Sequence, residues 1–150
     1  MLFCYLIVFL TASQDVAAES EILEQYGVTH VLNVASYVRN YFPDRITYKN
    51  MNIYDTIDMA ILPCLPSAFE FINEGRKAGC VLVHCNAGRS RAASICIGYL
   101  MKTEDMSFIE AYQHVKSKRP SISPNAGFTF QLEQLYTQAL KEEKEQSEKE

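Results

Sequence analysis

The segment VLVHCNAGRSRAAS, residues 81 to 94, constrains the chain more than any other. An apolar run ends on His84 and Cys85, a short loop containing Gly88 follows, and Arg89 and Arg91 lead into an alanine-rich stretch. This order reads as a buried strand, a tight loop and the start of a helix. Where a strand passes directly into a helix, the N–H groups of the loop and first helical turn lack partners and form an anion site. Gly88 supplies the residue that tolerates positive φ, so Asn86, Ala87, Gly88, Arg89, Ser90 and Arg91 can curl around a tetrahedral oxyanion.

Cys85 lies at the bottom of that cup. N–H dipoles, a helix N-terminus and an arginine favour the thiolate, the nucleophilic form of the side chain. Arg91 follows six positions later, and a closed loop returns its planar fork over the sulfur, where two parallel hydrogen bonds to a phosphoryl group suit its geometry. Attack on phosphorus gives a cysteinyl-phosphate that water later clears. A buried inert cysteine is the plainer reading, but it leaves Arg89, Ser90 and Arg91 without a purpose. His84 reads as a supporting residue that orients the loop without transferring a proton. His30 and His114 read as ordinary packed histidines.

The remaining composition narrows the setting. A chain of 150 residues, 48% hydrophobic and 21% charged, suits one globular domain. Its net charge of −4 argues against general nucleic-acid binding, so a cationic site must be local. The five cysteines, Cys4, Cys64, Cys80, Cys85 and Cys96, contain no CxxC pair and suit reduced intracellular thiols better than a disulfide framework or zinc site. No metal or organic cofactor is expected. The opening MLFCYLIVFL imitates a secretory signal, but no basic residue precedes it and it is too short to span a membrane. A first strand explains it better, and no membrane association is expected.

Strand patterns fall at Tyr5 to Leu10, Val28 to Val34, Ile46 to Ile53 and Cys80 to His84. ESEILEQYG reads as a short helix stopped by Gly27. A second helix begins at Asp58 or Pro66 and runs to Gly75, and a third, apolar nearly all round, covers Ser90 to Lys102. Helical spacing continues through Phe108, Ala111, Tyr112 and Val115, then Phe128, Leu132, Leu135, Tyr136 and Ala139. The expected architecture is α/β, with a small, mostly parallel central sheet flanked by helices. Residues 1–141 form the domain, and 142–150 form a charged tail that frays into disorder.

HCNAGRSR, taken with SQDVAA, VTHVLNVA, AYQHVKSKRPSISPN and GFTFQLEQL, resembles the atypical dual-specificity protein phosphatases, a branch of the cysteine-based protein tyrosine phosphatase superfamily. The resemblance covers about residues 8 to 140. It implies a general acid on a loop before the motif, which protonates the leaving oxygen and then activates water. Asp55 in NIYDTIDMAI is the first candidate, and Asp58, which also reads as a helix N-cap, is the second. Asn125 is placed near the phosphate loop, its amide holding loop carbonyls while it caps a helix. The implied activity is hydrolysis of phosphotyrosine and phosphoserine or phosphothreonine in a phosphoprotein, such as a MAP kinase pathway component, in the cytoplasm or nucleus.

Two departures stand out. Many members carry Ser or Thr after the motif arginine, where the hydroxyl helps the thiolate leave; here it is Ala92, which implies a slow second step. Arg89 stands where many members have Val or Ile, and HCxAGRSR also resembles a phospholipid-directed branch of the superfamily. A phospholipid phosphatase and a phosphate-binding adaptor without turnover are therefore the alternatives.

Overall fold

The computed structural model describes residues 12–35 and 37–150. The first helices, α1 (Gln14–Ala17) and α2 (Ser20–Gln25), lead into β1 (Val28–Ala35). Gly27 ends α2 as the sequence requires: its φ is +65°, and its N–H donates to Glu24 O at 3.1 Å. β2 (Thr47–Ile53) comes next, followed by a 3-10 turn at Leu62–Cys64, α3 (Leu65–Ala78) and β3 (Cys80–His84). The second half holds α4 (Arg91–Thr103), α5 (Phe108–Lys118), α6 (Ala126–Phe130), a π-helical stretch at Gln131–Tyr136 and α7 (Thr137–Glu148).

The three strands form a parallel sheet in the order β2-β1-β3. Alternating residues of β1 and β3 feed two apolar layers. Leu32, Val34, Val81 and Val83 share one core with α3 and α4, while Val31 and Leu82 pack with Ala17 and Leu23 on the other face. Burial on both faces explains why β3 is apolar from Cys80 to Val83 and does not alternate, and why Val31, Leu32 and Val34 of β1 are all fully buried. Ala12 pairs in parallel with His84, its N–H donating to Val83 O at 3.2 Å. The strand expected at Tyr5 to Leu10 lies outside the described residues.

α4 is buried along its length from Arg91 to Met101, as its all-round apolar pattern requires. It abuts β3 through the loop that carries the motif, so the loop is fixed at both ends by core elements. α5 begins with a full capping box between Ser107 and Glu110.

One sequence expectation needs correction. Asp58 caps no helix: it lies in a turn closed by Met59 N–H to Thr56 O at 3.2 Å, and α3 starts at Leu65 with Cys64 as its N-cap and a proline in its first turn. Pro66 suits that position because its missing N–H would have had no helical partner. At the chain's charged end, α7 runs to Glu148 with no buried residue. Ion pairs Lys102–Glu143 and Lys144–Asp105 tie it to α4 and the turn beyond.

Candidate active site

β3 delivers Cys85 to the floor of a cavity of about 310 Å³ lined by Asp55, Cys85, Arg89, Arg91 and Ser123, among others. Cys85 is only 2% exposed, and the Gly88 N–H donates to its Sγ at 3.2 Å. The loop shape follows from where its carbonyls go. Asn86 O accepts from Gln14 N at 2.9 Å; Ala87 O and Gly88 O accept from Arg119 Nη2 and Nε at 3.0 and 3.2 Å. Arg89 O accepts from Ser123 N at 2.7 Å, and Ser90 O accepts from Ser94 N and Oγ at 2.9 and 2.7 Å.

Every carbonyl from Asn86 to Ser90 is thus held by a residue outside the loop. In a trans peptide the following N–H points opposite its carbonyl, so tethering the carbonyls outward turns the N–H groups toward the cavity. The result is a fixed nest of donors for an anion. Gly88 is needed for the curl, with φ +68°, and also for clearance: a Cβ there would sit 2.6 Å from the Ala12 carbonyl carbon and oxygen.

Arg91 is 8% exposed, and its Nη1 donates to Ile53 O at 3.3 Å, where β2 ends. Its Nε is buried with no partner among the described residues, a donor kept for a group in the cavity. Arg89 differs: it is exposed, and its Nε lies against Ser121 O at 3.3 Å at the cavity mouth. Ala92 is fully buried in the first turn of α4.

His84 is buried with Nδ1 3.1 Å from Cys85 O and Nε2 without a partner among the described residues. Burial pushes its pKa below the ordinary histidine value, partly opposed by the Cys85 carbonyl. The ring is therefore neutral at pH 7, and a proton on Nδ1 donating to Cys85 O suits this geometry. The other described cysteines are held as thiols: burial raises Cys64, Cys80 and Cys96, and the neighbouring Cys85 raises Cys96 further.

Asp55, and not Asp58, lines the cavity. Its Oδ1 accepts from Asn125 Nδ2 at 2.9 Å, and the same amide nitrogen approaches Thr56 O at 3.3 Å. Asn125 Oδ1 caps α6 through the Phe128 N–H at 2.9 Å, and its backbone N–H donates to Ser90 Oγ at 2.9 Å. The cap matches expectation. The side-chain amide, expected on carbonyls of the phosphate loop, instead holds the loop that carries Asp55.

Sequence reasoning missed Arg119, Ser94 and Gln131, all of which act on backbone groups. Only the position of Arg119 in KSKRPSISPN hinted at a role, because that segment returns to the loop. A larger cavity, about 740 Å³, opens between Leu65, Phe69, Lys102 and Tyr136, remote from Cys85 and Asp55. Among the described residues, no group of three or more His, Cys, Asp or Glu side chains is placed to hold a metal ion.

A parallel sheet that delivers a cysteine into an arginine-closed anion cup has known counterparts. Residues 8–138 match the dual specificity phosphatase catalytic domain, and the chain belongs to that family. Among its relatives, dual specificity protein phosphatase 19 of Mus musculus is 51% identical over 124 residues, 82% of this chain and 56% of the relative. Dual specificity protein phosphatase 1 of Arabidopsis thaliana is 45% identical over 120 residues, 79% of this chain and 61% of the relative. The crystal structure of human DUSP28 superimposes with a TM-score of 0.85 at 31% identity, covering 93% of this chain and 97% of that one. The chain thus spans somewhat over half the length of the two curated relatives. No helix among the described residues is long and apolar enough to cross a membrane.

Proposed function

We propose that the chain hydrolyses phosphate monoesters on proteins, with Cys85 as nucleophile, Arg91 and the loop N–H groups as transition-state stabilisers and Asp55 as acid and then base. The observation that carries this reading is the cup itself: five loop carbonyls tied outward around a sulfur that already accepts an N–H. Donors fixed before substrate arrives need no reorganisation as charge develops on the phosphoryl oxygens.

In the first step the Cys85 thiolate forms an S–P bond as the P–O bond to the leaving group breaks, and Asp55 gives its proton to the departing oxygen. Because Asn125 occupies Oδ1, Oδ2 is the oxygen available to carry that proton. In the second step the Asp55 carboxylate takes a proton from water while the water oxygen attacks phosphorus. The S–P bond breaks, and thiolate and inorganic phosphate are released.

The match to the dual specificity phosphatase catalytic domain, with an exposed acid loop beside the cavity, supports serine and threonine phosphates as well as tyrosine phosphate as substrates. The substrate is a phosphoprotein, and the family resemblance makes a component of a MAP kinase pathway a candidate to test. A reactive thiol fits a reducing compartment, the cytoplasm or nucleus. The test is phosphate release from matched phosphotyrosine and phosphothreonine peptides. Release from both supports the reading, whereas tight binding of both without release makes the chain an adaptor.

A further inference from the structure

A proton donor must lie within hydrogen-bond reach of the leaving oxygen, yet Asp55, Thr56, Ile57 and Asp58 are all exposed on a loop. An exposed loop without external ties is mobile. The ties here come from one short stretch of chain, residues 125 to 131, and Asn125 is only the first.

Gln131 is the second. Its Oε1 accepts from Ile61 N at 2.8 Å, and its Nε2 donates to Met59 O at 2.9 Å and to Gly127 O at 3.1 Å. Both amide hydrogens and the carbonyl are therefore engaged, two of the three bonds reaching the acid loop and the third its own helix. Between these anchors the backbone of Gly127 meets the loop so closely that a Cβ would sit 2.0 Å from Ile57 O. Gln131 also opens the π-helical stretch Gln131–Tyr136, a wide turn of the kind often found at functional sites.

We propose that Gln131 is a positioning residue for the general acid: by clamping Met59 and Ile61 it sets the loop height at which Asp55 Oδ2 meets the leaving oxygen. This rests on the assignment of Asp55 proposed above. Gln131 touches neither substrate nor the reacting atoms, so its effect follows the demand for a proton and not binding.

The test compares two substrates on the whole chain. The leaving oxygen of p-nitrophenyl phosphate needs little protonation, whereas that of a phosphothreonine peptide needs it fully. Gln131→Met, which keeps the bulk and removes all three bonds, is expected to lower kcat/KM for the peptide about tenfold more than for the aryl phosphate. In an Asp55→Asn background the same substitution is expected to leave that ratio unchanged, because the acid it positions is gone. Gln131→Glu, which retains the acceptor for Ile61 and loses the donors, gives an intermediate ratio and serves if the methionine variant does not fold. Equal losses on both substrates, or a ratio that still moves on top of Asp55→Asn, overturn the proposal. If Asp55→Asn alone leaves the ratio at the wild-type value, the acid assignment fails and the role of Gln131 fails with it.

Discussion

The side-chain amide of Asn125 donates to the Asp55 carboxylate at 2.9 Å across 70 residues of sequence, joining the start of α6 to the loop after β2. Asn125→Ala removes this bond and the helix cap together. It is expected to cost about 1 kcal/mol of stability and about tenfold in kcat/KM on a phosphothreonine peptide. Asn125→Asp keeps a capping oxygen but sets a carboxylate beside Asp55, so stability returns while activity does not. Thermal melts and kinetics on the two variants separate the roles.

Gly88→Ala meets the Ala12 carbonyl and a φ of +68° at once, so the loop must open. Since the loop N–H groups act together, turnover is expected to fall about a hundredfold or more. Vanadate affinity should fall with it, measured by titration calorimetry. Unchanged vanadate binding would mean the cup does not depend on this residue.

Ala92 offers no hydroxyl to the departing thiolate, and it is buried against the core. Breakdown of the cysteinyl-phosphate should therefore limit turnover. Stopped-flow with p-nitrophenyl phosphate is expected to show a nitrophenol burst approaching one equivalent per chain. Ala92→Ser should shrink the burst and raise the steady rate. A linear trace from the start contradicts a slow second step.

Stability should fall toward acid pH through His84. Its pKa is lowered in the folded chain, so below the ordinary value near 6.5 the unfolded state binds more protons. The contribution is whole above that pH and is lost as pH falls toward the depressed folded value. Urea midpoints at pH 7.5 and pH 5 should differ more for the wild type than for His84→Gln.

What the sequence made legible was local. Cys85, Gly88 and Arg91 lie within one strand, loop and helix start, where order along the chain dictates arrangement in space. The strand patterns at Val28 to Val34 and Cys80 to His84 were equally visible, because each is a short segment rich in β-branched and apolar residues. Asp55 stood ahead of Asp58 only through the family resemblance, because both sit in the same turn-rich segment and the contact that holds Asp55 comes from Asn125, 70 residues away. Arg119 and Gln131 escaped notice for a related reason: they bind backbone carbonyls and amides, which every residue has and no sequence pattern marks. Of the two expected helix starts, Pro66 is the one that holds, and Asp58 misled because nothing local distinguishes a capping aspartate from one in an isolated turn. The contacts of the charged end were equally hidden, because its partners, Lys102 and Asp105, lie about forty residues earlier on α4 and its following turn.

If Cys85 carries the phosphoryl group, the intermediate itself is the most direct thing to look for. Acid quench during turnover of a phosphotyrosine peptide, followed by intact and peptide mass spectrometry, should reveal one phosphoryl group on the fragment containing Cys85. The adduct and phosphate release should both disappear in Cys85→Ser. Continued release by Cys85→Ser, or wild-type turnover with the group on another residue, would contradict the assignment of Cys85 as the nucleophile.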